Sequence, residues 1–200
     1  DTDILASNGS WNLETGDLDV RGPVRALRSK DLDITASALQ GNTQQGFLDL
    51  IQPVRLEQMD GAINAGTTRW DLAEQRLTSI APFQGKRQDS AASGQGFVID
   101  EATTTVIIPK ACHLTQPGET LTAHRCSWNW VSNRVVADGN VVLGSQDPGD
   151  ETRASRLEGQ LGSSEGVRFG STGHRVLSSI RFTPDPPRIR ASSSLSRVSF

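Results

Sequence analysis

The sequence predicts an all-β protein of short antiparallel strands built from a repeat of about 29 residues, and three observations predict it. Tryptophan recurs in a fixed frame. Trp11, Trp70 and Trp128 each follow an alanine by five residues (Ala6, Ala65, Ala123) and precede apolar residues at plus two and plus seven, the latter being Leu18, Leu77 and Val135. Fixed-period self-similarity of this kind decides architecture ahead of local propensity. The period then halves: Pro23, Pro53, Pro82, Pro109 and Asn140 are 27 to 31 residues apart, with tryptophan in alternate units. Between these marks, apolar and polar residues alternate with period two, which is the signature of half-buried strands.

Taken in order, the strand faces are explicit. Leu18, Val20, Val24 and Ala26 share one parity against Asp19, Arg21 and Arg25. Leu32, Ile34, Ala36 and Ala38 alternate with Asp31, Asp33, Thr35 and Ser37, and Leu48, Leu50, Val54 and Leu56 with Asp49, Arg55 and Glu57. Val135, Ala137, Val141 and Leu143 repeat the pattern, and Val176, Ile180 and Phe182 close the series. A small residue recurs in four of the five units (Ala36, Ala65, Ala123, Ala154), while the third carries a polar run, Gln84 to Gln95, in its place. Asp71 to Gln75 is locally helix-friendly, but the corresponding segments Asn12–Gly16 and Asn129–Asn133 read as turns, so a turn is expected here too. Residues 1–182 are expected to form one domain. Thr183-Pro-Asp-Pro-Pro-Arg188 ends strand pairing, because proline cannot donate to a ladder, and leaves 183–200 as a Pro/Ser-rich C-terminal tail.

Composition excludes several classes. Net charge is −3 with both signs interspersed, so there is no basic footprint and no nucleic-acid partner is expected. No apolar run approaches the length of a membrane span. The chain begins at Asp1 with no signal-like stretch, so it reads as a mature or excised piece. Cys112 and Cys126 are either bridged between neighbouring strands, folded together by the Pro117-Gly118 turn, or two unpaired thiols; a bridge would imply an oxidising compartment.

Catalysis needs convergent titratable groups, and the chain carries no nucleophile elbow, P-loop or dinucleotide fingerprint. Cys112, His113, His124 and Cys126 match no zinc spacing, and adjacent positions 112 and 113 point to opposite faces of a strand. No enzyme, metal or cofactor is expected. What remains is a series of one-faced strands whose apolar sides must be buried against another sheet or an apolar ligand.

Asp138-Gly-Asn-Val-Val-Leu143, Gly22-Pro-Val-Arg-Ala-Leu27, and Gln52-Pro-Val-Arg-Leu56 with Gly61-Ala-Ile-Asn-Ala65 resemble the OstA-like proteins of lipopolysaccharide export, the LptA and LptC type, with an LptC-like member favoured. The resemblance covers roughly residues 4 to 182. It implies an open, twisted β-jelly roll of two antiparallel sheets in the periplasm, carrying lipopolysaccharide from the inner-membrane ABC transporter towards the outer membrane and stacking through its terminal strands on other jelly-roll proteins. An LptC-type anchor to the inner membrane would lie upstream of Asp1. The lipid groove is expected to be the apolar interior: Trp11, Val24, Ile34, Leu50, Leu56, Ile63, Trp70, Leu77, Phe97, Val106, Leu121, Trp128, Val135, Val141 and Leu143. The competing readings are a non-catalytic β-repeat scaffold binding protein or glycan, and a polysaccharide-processing enzyme, which would need carboxylates clustered in register.

Overall fold

The computed structural model describes residues 2–28, 32–58, 60–145, 151–160, 167–170 and 177–179. Val176, Ile180, Phe182 and the expected tail 183–200 lie outside the described residues. Every regular element described is a strand. β1 (Thr2–Ala6) and β2 (Gly9–Trp11) are short and lead into two long strands, β3 (Asp17–Arg28) and β4 (Leu32–Asn42). Four short strands follow, β5 (Phe47–Ile51), β6 (Val54–Gln58), β7 (Gly61–Ala65) and β8 (Thr68–Asp71), and then a long pair, β9 (Arg76–Arg87) and β10 (Ser90–Asp100). The cycle repeats with β11 (Thr105–Ile108), β12 (Cys112–Gln116), β13 (Glu119–Ala123) and β14 (Arg125–Asn129), then the long pair β15 (Arg134–Ser145) and β16 (Glu151–Gln160). β17 (Val167–Gly170) and β18 (Leu177–Ser179) complete the described strands.

All pairings are antiparallel, and the register resolves them into two sheets. One runs β1-β3-β4-β6-β7-β9-β10-β12-β13-β15-β16-β18. The other runs β2-β3-β4-β5-β8-β9-β10-β11-β14-β15-β16-β17. The six long strands belong to both sheets, half of each strand to each sheet, and the short strands belong to one. Along β3, β10 and β15 the register shifts between Arg21 and Val24, Gln95 and Phe97, and Asp138 and Val141. Such irregularities bend a strand and raise its twist, so the two halves fold face to face about a common seam. The periodic Pro23, Pro53, Pro82, Pro109 and Asn140 all fall on that seam, where a missing N–H breaks no regular ladder.

The opposite rim of the second sheet is punctuated as regularly. Asn12, Asn42, Asp71, Asp100 and Asn129 each accept, through Oδ1, backbone N–H groups two or three residues on. Four residues after each stands a left-handed residue: Gly16, Gly46, Gln75, Thr104 and Asn133. Asp71 to Gln75 is therefore a turn, as its counterparts in the repeat require. Among the described residues five such side-chain-closed turns occur at steps of 29 or 30 residues, Asn12, Asp71 and Asn129 accepting two N–H groups and Asn42 and Asp100 one.

The apolar faces meet between the sheets. Val24, Ala26, Ile34, Val54 and Leu56 from the first sheet oppose Val20, Leu39, Leu48, Leu50 and Leu77 from the second, all essentially buried. Phe83 and Phe97 meet edge-on across the seam, their centroids 5.2 Å apart. The expected outward residues Arg25 and Arg55 are exposed, and Asp33 is held at the surface by the Arg25 guanidinium. Two expectations need correction. In β4 the inward residue after Ala36 is Leu39 rather than Ala38, because the parity resets at the bend. The small residue of the third unit is Gly94, paired with Phe83 and hidden inside the polar run.

Cys112 and Cys126 form a disulfide with Cα atoms 5.9 Å apart. It does not join neighbouring strands. The Pro117-Gly118 turn pairs Cys112 with Ala123, while Cys126 lies on the other sheet beside Ile108 and Ala137. The bridge is a staple between the sheets, buried with the core on both sides. It consumes both thiols, so neither is free to ligate zinc.

Candidate functional site

Away from the seam a cavity of about 250 Å³ opens between the sheets. Leu32, Leu56, Ile63, Phe83 and Ala92 wall it on the first sheet; Leu77, Ile99, Val106 and Trp128 wall it on the second. The mouth is polar and charged: Gln58, Asp60, Lys86, Arg87, Glu101 and Thr104, with Trp130 and Val131 beside them. Apolar walls with a few polar groups at the edge are what a small-molecule or acyl-chain site requires.

Two contacts cross the mouth from sheet to sheet. Arg87, at the end of β9, donates Nε–H to Asp60 Oδ1 at 2.9 Å on its own sheet and Nη1–H to the Trp130 carbonyl at 2.8 Å on the opposite sheet. Arg28, at the end of β3, faces Glu101 at 3.8 Å and lies 5.5 Å from the Trp70 ring centroid. Glu101 is half-buried, and burial raises its carboxyl above the ordinary glutamate value. The Arg28 charge, then the Trp70 indole N–H, pull the other way, and the Asp100 charge adds to the rise. Asp60 is lowered chiefly by its hydrogen bond from Arg87.

The tryptophan frame divides by position. Trp70 is fully buried and Trp128 lines the cavity, and among the described residues the indole N–H of each meets no acceptor at hydrogen-bond geometry. Trp11 corrects the expectation that it faces the interior: it is 57% exposed and its Nε1–H reaches Thr43 Oγ1 at 3.3 Å. Of the other residues expected in the groove, Leu56, Ile63, Leu77 and Val106 line the cavity. Val24, Ile34, Leu50, Phe97, Leu121, Val135 and Val141 sit in close-packed core, and Leu143 is half-buried against it. The cavity also uses residues that sequence reasoning missed. Ala92 lies in the polar run, Ile99 follows the parity reset at Gly96, and the Arg87–Trp130 contact joins residues 43 apart with no local signal.

These features define a class, an open two-sheet β-jelly roll with an apolar cavity between its faces. The same fold is found in LptH, the LptA homologous periplasmic component of the conserved lipopolysaccharide transport device from Pseudomonas aeruginosa, with a TM-score of 0.51 and 16% identity over 56% of this chain and 85% of that one. No family model and no curated protein matches the chain.

Proposed function

We propose that this protein is a non-enzymatic periplasmic carrier of the OstA-like kind, holding lipopolysaccharide by its acyl chains and passing it from the inner-membrane ABC transporter towards the outer membrane. The observation that carries the reading is the apolar cavity between the two sheets, in a fold shared with a periplasmic component of the lipopolysaccharide transport device. Burying one methylene contributes about 0.8 kcal/mol. A twelve-carbon chain therefore offers roughly 9 kcal/mol before ordering costs, which take back a large part of it. Micromolar binding follows without any deeply buried charge.

The ends of the molecule fit a bridge. Among the described residues β1 and β2 have only β3 beside them, and β17 and β18 only β16, so each sheet ends in edges able to accept a further strand. Leu5, Trp11 and Leu13 are exposed at the first of these ends, where another jelly-roll protein of the bridge would dock. Residues 1–182 would act as one jelly-roll unit, with 183–200 as its tail. The sequence resemblance favours an LptC-like place next to the transporter; an LptA-like place further along the bridge is the alternative.

The test is native mass spectrometry and tryptophan fluorescence on protein purified from a lipopolysaccharide-producing host. Wild type should carry lipopolysaccharide and show a saturable fluorescence change on adding it. Ile63→Arg, at a half-buried cavity wall, should weaken binding at least tenfold with an unchanged β-type circular dichroism spectrum, because a charge would have to be buried beside the chain. Arg25→Ala, on the outer face, should stay within about twofold, as for most surface changes. No bound lipid and no fluorescence response would leave the scaffold reading in its place.

A further inference from the structure

The cavity mouth carries more than apolar wall. Arg87 makes two hydrogen bonds that pull in opposite directions, one to its own sheet through Asp60 and one across the opening to a neutral carbonyl, that of Trp130. The carbonyl side is fixed. Trp130 N–H is bound to the Thr104 carbonyl at 3.2 Å, and Asn129 Nδ2–H to the Thr103 carbonyl at 2.9 Å, so the turn at 129–133 is tied to the turn beside it. The movable part of the strap is the Arg87 side chain.

We propose that Arg87 is a headgroup-selecting latch: it leaves the Trp130 carbonyl to pair with the anionic headgroup of an amphiphile whose chain enters the cavity. This rests on the lipid-carrier reading of the same site. The exchange favours anions because a charged oxygen is a stronger acceptor for a guanidinium than a neutral carbonyl. Asp60 can hold Nε throughout, leaving the fork of terminal nitrogens aimed at the incoming oxoanion. Arg28 is already engaged with Glu101 and Trp70. A neutral headgroup would have to break the strap with no stronger acceptor to offer in return.

The experiment is calorimetric titration of the whole protein below the micelle concentration with dodecyl phosphate, dodecyl maltoside and inorganic phosphate. Wild type should prefer dodecyl phosphate to dodecyl maltoside by about tenfold or more, the usual scale of one charge-assisted hydrogen bond. In Arg87→Ala the phosphate amphiphile should bind at least tenfold more weakly and the maltoside as tightly as before or more tightly, since no strap remains to be broken. Arg87→Lys should keep part of the preference. Inorganic phosphate alone should not compete. Opposite effects on the two amphiphiles cannot come from unfolding, which would weaken both. Equal weakening of both, a preference that survives Arg87→Ala, or competition by inorganic phosphate alone would overturn the latch while leaving the carrier reading in place. Failure of wild type to bind either amphiphile would overturn the carrier reading itself.

Discussion

Glu101 shows how much one position owes to its surroundings. It sits in a turn whose counterparts carry Leu13, Thr43, Leu72 and Trp130 at the same place, yet here the side chain is half-buried against Arg28 and Trp70. Its proton is held more tightly folded than unfolded. The associated stability is therefore fully present below the unfolded glutamate value and is lost as pH rises through the raised folded value. A carbon-detected titration should place its midpoint above that of an exposed glutamate, and Arg28→Met should raise it further by removing the positive charge that opposes the rise. A midpoint at or below the ordinary value would refute the burial assigned to it. The tryptophan frame was legible for a physical reason: Trp11, Trp70 and Trp128 pair across their hairpins with Leu18, Leu77 and Val135, so the plus-seven spacing is a cross-strand contact written along the chain. Their different burial was not legible. Among the described residues β2 pairs only with β3, and Trp11 lies at that edge.

At the scale of elements, the turns carry the regularity. An Asn or Asp whose side chain closes the turn, followed four residues on by a left-handed residue, needs only local chemistry, which is why 12–16 and 129–133 were readable and 71–75 could be inferred from them. Parity across a bend is not local. It depends on how many residues the irregularity absorbs, and that hid Leu39, Ala92 and Ile99 from a simple alternation. Gly94 marks the tightest such place: a Cβ there would run into Ile108 Cγ2 and lie 3.0 Å from the Lys110 carbonyl. Gly94→Ala should destabilise by about 1–3 kcal/mol, as overpacking does. Gly61→Ala, whose Cβ would meet only ordinary contacts at 3.5 Å, should be neutral or slightly stabilising in the same denaturant titration. Equal effects would mean that the seam is looser than its geometry.

For the whole molecule, the repeat period announced paired strands but not which short strand joins which sheet, because both choices satisfy the same alternation. The disulfide shows the consequence: of the two readings left open, bridged or free, the bridge forms, but it fastens the two sheets together and not neighbouring strands. It closes a loop of about 15 residues, for which chain-entropy arguments give about 3 kcal/mol. Replacing both cysteines with alanine should lower the unfolding free energy by about 2–4 kcal/mol, and by more where the missing sulfurs leave a cavity, while reductant without denaturant should leave the buried bond intact. Ready reduction of the folded protein would contradict that burial.

Strands shared by both sheets also make length a counted quantity. Each unit of about 29 residues adds two strands to each sheet, and neighbouring strands lie about 4.8 Å apart, so each unit extends the molecule by about 10 Å. Inserting or removing one full tryptophan-to-tryptophan period would change the reach by about 20 Å and leave the cross-section as it was. A distance between two fixed surfaces can then be matched by arithmetic on repeats, with no new core to be invented.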